Sequence, residues 1–244
     1  MIIRSVVEKT DIARLVEFER RKDEFISSAS HELKTPLATI KGFTQVLKEL
    51  LKKDMKALYY LSKLESQTDR ITLLVNDLLD VSKIKSGKLD LRFEPFFINK
   101  LIKEVIEDMY AQSTKHKIIF KPNANIKVRA DYFRLYQVFI NIISNAVKYS
   151  PKADKIVVYV RDLGTKVEVV VEDFGIGIAE KNLEKIFEKF FQVENKIRPS
   201  FSGLGLGLHI SEEIIKRHKG RIWVESEKGK GSQFKFVIPK SIHE

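Results

Sequence analysis

Ser30-His31-Glu32-Leu33-Lys34-Thr35-Pro36 sets a histidine beside a glutamate in a segment whose apolar residues recur at helical spacing. Ile26, Ala29, Leu33, Ile40 and Leu47 follow one another in steps of three, four and seven, the seam of an amphipathic helix over residues 11–51. Lys52-Lys53-Asp54 interrupts the pattern, and Asp54 suits an N-cap. Leu58, Leu61, Leu64, Thr68, Ile71, Val75 and Leu78 then restart it, so the stretch reads as an antiparallel helical hairpin. Two helices cannot close a core around both seams. A homodimeric four-helix bundle completes the core, and packing of the hairpin on its own C-terminal half is the alternative. In the heptad frame Ala29 and Leu33 face the seam, which turns His31 outward to solvent and disfavours a buried, satisfied histidine.

Upstream, Met1 to Val7 has the β-branched texture of a short strand, and Thr10 or Asp11 suits a helix cap. A lone strand does not stand by itself, so residues 1–10 read as the trailing edge of an upstream domain. Downstream, Ser86-Gly87 ends the second helix and the texture changes. Leu89 to Ile98 reads as a strand, Asn99 as the cap of a helix through Tyr110, Ile118 to Phe120 as a short strand, and Asp131 as the start of a helix to Pro151. Ile156–Val160 and Lys166–Val171 alternate like strands around Asp162-Leu163-Gly164-Thr165, a hairpin turn. A short helix around Lys181–Glu188, a glycine-opened helix to His218, and strands Arg221–Glu225 and Gln233–Ile238 complete the chain. Helices with mostly hairpin-connected strands indicate an α/β sandwich, one face of a mixed sheet being covered by helices.

Composition bounds the chemistry. The 244 residues allow one large domain or two modest ones, with 43% hydrophobic and 32% charged residues as in a folded chain with much charged surface. With no cysteine, disulfides, thiolate metal sites and cysteine nucleophiles are excluded. The net charge of +11 suits an acidic partner, a membrane surface or a polyphosphate, but Lys and Glu alternate along amphipathic segments. That is the pattern of solvated helix faces and not of a nucleic-acid surface. No run reaches the ~18 apolar residues of a membrane span, and no signal peptide opens the chain, so a cytoplasmic location is expected for this portion of a soluble or membrane-attached parent.

Three polar clusters interrupt the apolar patterning of the second half. Asn141, Asn145 and Lys148 lie one turn apart on one face of a helix, where two carboxamides and an ammonium suit Mg2+ and phosphate; an exposed polar stripe is the plain alternative. Asp173-Phe174-Gly175-Ile176-Gly177 follows a strand, where a carboxylate suits the exocyclic amine of adenine and the glycines admit a ligand close to the backbone. Its Asp-Phe-Gly triplet matches that of eukaryotic-type protein kinases, but no His-Arg-Asp loop accompanies it. Gly203-Leu204-Gly205-Leu206-Gly207 opens a helix and exposes successive N–H groups to an anion, with neither P-loop nor dinucleotide-fold spacing.

Together with His31-Glu32-Leu33-Lys34-Thr35-Pro36 and Phe187-Glu188-Lys189-Phe190-Phe191, and in the same order, these blocks resemble the H, N, G1, F and G2 boxes of bacterial sensor histidine kinases. The resemblance covers about residues 11–240. It implies the end of an upstream sensor domain and a linker helix over 1–22, a dimerisation and phosphotransfer domain over 23–88, and an ATP-binding domain of the gyrase B/MutL type over 89–244. Residues 1–11 are also similar to the last strand and exit of a PAS domain.

The resemblance implies His31 as phosphoacceptor and Glu32 as its general base. Thr35, one turn on, would position a water for dephosphorylating the partner, the receiver domain of a response regulator. It implies Asn145 as Mg2+ ligand with Asn141 behind it, Lys148 on phosphate, Tyr149 against adenine and Asp173 as adenine reader. Gly175, Gly177, Leu204 and Leu206 would line the nucleotide, and Gly203, Gly205 and Gly207, which also line it, would hinge a lid over 192–203. Gln192 stands where many relatives carry an arginine, leaving Lys189 and Arg198 as candidate cations for the γ-phosphate, and Phe174 replaces a common asparagine. An ATP-hydrolysing machine on the same fold would need a carboxylate near Asn141, and a degenerate scaffold would lack the intact boxes.

Overall fold

The computed structural model describes residues 32–111, 116–193 and 204–241. The chain divides into two compact units, Met1–Leu89 and Asp90–Glu244. His31, Arg198, Gly203, most of the expected lid and the PAS-like residues 1–11 lie outside the described residues.

In the first unit, α1 covers residues 32–50 and α2 covers Met55–Lys85. Asp54 caps α2 as its sequence position indicates, accepting from the Lys56 and Ala57 N–H groups at 3.0 Å, a cap of a kind that contributes ~1 kcal/mol. The antiparallel register is marked by ion pairs Lys41–Asp69 (2.7 Å) and Lys48–Glu65. Leu37, Leu61, Val75 and Leu79 are buried. Leu79, four residues after Val75, takes the seam position expected of Leu78, because a step of four at 3.6 residues per turn strays less from the Val75 face than a step of three. Leu33, Ile40, Leu47, Leu64 and Ile71 stay 43–52% exposed, an apolar stripe uncovered by the single chain's described residues. No helix among the described residues is long and apolar enough to cross a membrane.

The second unit begins with β1 (Phe93–Phe97) and α3 (Ile98–Ala111), followed by β2 (Lys117–Pro122), β3 (Lys127–Asp131) and α4 (Tyr132–Tyr149). Strands β4 (Lys155–Asp162) and β5 (Lys166–Asp173) lead through two short turns to α5 (Gly207–Arg217), β6 (Arg221–Glu227) and β7 (Gly231–Pro239). The main sheet has the order β2-β4-β5-β7-β6, and β1 pairs with β3 in a separate antiparallel ladder. Only the β2–β4 pair is parallel, as it must be where α4 makes the crossover; the other main-sheet pairs are antiparallel. Alternate residues Val158, Val160, Val169, Val171 and Phe236 are buried, and Phe236 meets Phe139 of α4 edge-on at 5.3 Å. The opposite face is mixed: Val157 and Val170 are buried there, and Tyr159 and Gln233 both donate to Glu172, at 3.0 and 2.7 Å. This is the helix-covered sheet expected of an α/β sandwich.

Several local expectations are corrected. The strand expected over Leu89–Ile98 is confined to Phe93–Phe97, because Leu89 turns into a core and the Arg92 N–H is taken by Asp131 at 2.8 Å. Asn99 does not cap α3, which already begins at Ile98; its amide instead donates to the Ala124 carbonyl at 2.8 Å. Strand β3 carries no periodic signal beyond its buried Val128 and Ala130. The helix expected around Lys181–Glu188 is two single 3-10 turns, Glu180–Asn182 and Lys185–Phe187. The Asp162–Thr165 hairpin turn forms as expected, with Gly164 at φ +76° and its N–H on Asp162 at 2.8 Å.

Asp131 and His218 lock the helices to one another. The Asp131 carboxylate caps α4 through the Arg134 N–H at 3.0 Å, and its own N–H donates to His218 Nε2 at 2.9 Å. His218 Nδ1 donates to the Ile214 carbonyl at 2.8 Å, so the buried ring is neutral. Burial holds its pKa below 6.5. In α2 the sign is opposite: burial, with the charge of Asp80, pushes Asp77 up to about 6. A lowered histidine gives stability that is complete above its unfolded pKa and lost as pH falls, whereas a raised carboxylate gives stability lost as pH rises through its folded pKa. Lowering the pH from about 7.5 to about 5.5 should therefore speed amide exchange in α5 and slow it in α2, after correction for intrinsic rates.

Candidate nucleotide site

The site grows from the middle and the C-terminal end of α4. At its C-terminal end the Tyr149 carbonyl accepts the Ile176 N–H at 3.1 Å, and a Cβ on Gly175 would sit 2.1 Å from that same oxygen. The loop after β5 is pinned from its other side by the β6–β7 turn: Gly229 N–H donates to the Ile176 carbonyl and Ile178 N–H to Ser226 Oγ, both at 2.8 Å. Gly177, at φ +62°, has room for no side chain, since a Cβ would fall 2.0 Å from the Glu227 carbonyl oxygen.

Asp173 ends β5 and is buried. Its Oδ1 accepts from the Gly175 N–H at 2.9 Å and from the Ser150 hydroxyl at 3.3 Å. Burial raises its pKa, opposed by these bonds and by those from Ser232. Ser150 and Ser232 are polar partners that sequence reading did not assign. Both are buried serines at element ends, a signal that only the fold makes visible.

One to two turns back along α4, Asn141 donates to Ser211 of α5 at 2.9 Å and accepts from Asn145 Nδ2 at 3.4 Å. A Cβ on Gly207 would lie 2.3 Å from Asn141 Oδ1, so α5 begins directly against this carboxamide. The N-terminus of α5 has no side-chain cap; Leu206 is buried at the N-cap position and Leu204 is partly exposed beside it. Uncapped N–H groups there are oriented to receive an anion. Gly205, at φ +69°, accepts the Phe190 N–H at 3.0 Å and so joins Lys189 and its neighbours to the same corner. Lys148 Nζ stands 4.8 Å from the Tyr149 ring.

The structure thus brings Asn141, Asn145, Gly205 and Gly207 together, and Asp173, Gly175 and Gly177 together, along one helix. Glu32 and Thr35 belong to the first unit, exposed on the first described turn of α1. The donor set fits a nucleotide with its metal. Among the described residues no group of three His, Cys, Asp or Glu forms a metal cage, while Asn145 Oδ1 takes no hydrogen bond there. Oxygen ligation completed by phosphate and water is the habit of Mg2+.

The family model for the His Kinase A (phospho-acceptor) domain matches residues 21–87, and that for histidine kinase-, DNA gyrase B- and HSP90-like ATPases matches 130–242. The sensor protein kinase WalK of Staphylococcus aureus (strain MRSA252) is 34% identical over 96% of this chain, which spans 39% of that relative's length. Among solved structures, full-length ShkA in complex with AMPPNP is 29% identical at TM-score 0.70, covering 88% of this chain and 45% of that one. The nucleotide-free catalytic domain of histidine kinase ThkA is 34% identical at TM-score 0.52, over 62% of this chain and 97% of that one. ThkA in complex with response regulator protein TrrA is 30% identical at TM-score 0.56, over 89% and 61%. A phospho-acceptor hairpin and a nucleotide-binding sandwich that match the same family in the same order leave one assignment: the chain belongs to the sensor histidine kinases.

Proposed function

We propose that the protein is an ATP-dependent protein-histidine kinase of a two-component system, with the sandwich serving His31 and His31 serving an aspartate in the receiver domain of a response regulator. The observation that carries this reading is the corner where the uncapped α5 meets Asn141 across Gly207, with the buried Asp173 bonded to Ser150 at the C-terminal end of the same α4. The AMPPNP held by ShkA and the regulator held by ThkA support the nucleotide and the partner. Residues 23–88 are the dimerisation and phosphotransfer part and 89–244 the catalytic part, while 1–22 link to an upstream sensor domain. The exposed stripe from Leu33 to Ile71 supports a homodimeric four-helix bundle.

Asp173 accepts from the adenine amine, with Tyr149 alongside the base and Gly175 and Gly177 admitting it to the backbone. The α5 amides and Lys148 receive the phosphates. Asn145 offers its oxygen to Mg2+, which neutralises phosphate charge when bound, and Asn141 orients Asn145 from behind. A ring nitrogen of neutral His31 attacks the γ-phosphorus as the bond to the bridging oxygen breaks, releasing ADP, while Glu32 takes the proton from the other ring nitrogen. Thr35, three residues from Glu32 and likewise exposed, positions water for the opposing activity, hydrolysis of the regulator's phosphoaspartate to aspartate and inorganic phosphate.

Incubation with γ-labelled ATP should leave an acid-labile, alkali-stable label on the protein, reduced to background in His31→Gln. Label undiminished in that variant, or phosphate release with no label at all, overturns the reading.

A further inference from the structure

The turn that carries Lys189 is tied to α5 at two points that bracket it. Phe190 N–H donates to the Gly205 carbonyl at 3.0 Å, with both residues at positive φ, +63° and +69°. A positive φ on phenylalanine is a strained choice that its surroundings must hold in place. On the other side of Lys189, the Phe187 carbonyl lies 3.2 Å from His209 Nδ1, in the first turn of α5. A carbonyl only accepts, so Nδ1 carries the hydrogen and Nε2 keeps its lone pair. Nε2 is buried and takes no hydrogen bond among the described residues, an arrangement that tolerates a neutral ring and penalises a charged one. Burial, and next the positive charge of Lys189, holds the His209 pKa below 6.5. The histidine therefore stays neutral, with its Nε2 buried, beside an exposed lysine.

We infer that His209 is a positioning residue which, through the Phe187 carbonyl, sets Lys189 beside the N-terminus of α5, where the ammonium meets the terminal phosphate of ATP. The inference rests on the ATP reading of the site and answers a question which that reading raises. Beyond Lys148, Gln192 carries no charge, and the helix N-terminus adds only about half a unit of positive charge. Discrimination of a triphosphate from a diphosphate needs a full cation at the far end of the chain of phosphates. Lys189, held from both sides against α5, is placed to supply it.

The test is binding of AMPPNP and of ADP to the full chain, read by calorimetry, with amide exchange at Phe190 followed without nucleotide. Lys189→Gln should weaken AMPPNP about tenfold and leave ADP within about twofold. His209→Ala should weaken AMPPNP about three- to fivefold, spare ADP and speed Phe190 exchange about tenfold. His209→Asn, whose side-chain amide replaces the Nδ1 donor, should restore both readings. Equal weakening of the two nucleotides by Lys189→Gln, no effect of His209→Ala, or an Asn variant no better than Ala would each overturn the inference. A wild-type chain that binds neither nucleotide would instead overturn the ATP reading itself.

Discussion

Asp173→Asn should lower the affinity for adenine nucleotides about a hundredfold while leaving the fold of the second unit intact. The carboxylate oxygen that accepts from Gly175 and Ser150 has a direct replacement in the carboxamide oxygen, so the loop after β5 keeps its shape. The other oxygen becomes an NH2 group, which presents a donor to the exocyclic amine of adenine where an acceptor is required. The lost bond is charge-assisted, and removing such a bond while leaving a buried donor unmet costs on the order of 2–3 kcal/mol. Stability without nucleotide should fall only slightly, because losing any Ser232 bond that the carboxamide cannot accept is offset by no longer burying a charge. Calorimetric binding and thermal unfolding measured on the same variant separate the two effects. A variant that binds as tightly as wild type would remove Asp173 from the role of adenine reader.

The parts of the fold legible in sequence are those where one periodicity runs long enough to dominate. α4 buries Leu135, Val138, Phe139, Ile142, Ile143 and Ala146 on one face, and its polar face is what remains. The α2 start is legible because Asp54 acts on N–H groups two and three residues away. β3 is five residues long with two buried side chains, too short for alternation to show, and its ladder with β1 is a long-range partnership. Asn99 carries the right residue type for a cap but finds its acceptor at Ala124, across the fold. Local rules identify what a residue is able to do, and distant neighbours decide which of these it does.

The same division runs through the site. The sequence marks Asn141, Asn145 and Lys148 as one helix face, and the glycine runs as places of close backbone approach. It does not show that Asn141 spends its amide on Ser211, seventy positions away, and so acts as a strut between α4 and α5. The asymmetry between the two asparagines is a property of the packed pair: Asn145 Nδ2 donates to Asn141, and among the described residues its oxygen takes no hydrogen bond. His209 escapes notice for the same reason. In sequence it is a polar residue after a glycine run, and only the fold brings the Phe187 carbonyl to its Nδ1.

Gly177→Ala should abolish nucleotide binding and destabilise the second unit by about 3–5 kcal/mol, the largest effect expected of any single methyl group in this site. The added Cβ would lie 2.0 Å from the Glu227 carbonyl oxygen, 2.8 Å from its carbon and 3.1 Å from Lys228 Cα, all backbone atoms that no rotamer change can move. At φ +62° the alanine is also in a region costing an L-residue about 1–2 kcal/mol. The loop cannot relieve the clash by sliding, because Ile176 and Ile178 are bonded to Gly229 and Ser226 on either side of it. Moving away breaks one or both bonds, each contributing about 1 kcal/mol, and shifts Asp173 and Gly175 from the base they are to receive. Gly229→Ala is the matched control. It too sits at positive φ, +88°, but nothing lies within 4 Å of its missing Cβ, so it should cost about 1–2 kcal/mol and leave binding intact. Urea unfolding and AMPPNP binding on the pair distinguish strain from collision. If the two variants behave alike, backbone conformation alone governs this loop, and its pinning against the β6–β7 turn has no part in holding the nucleotide.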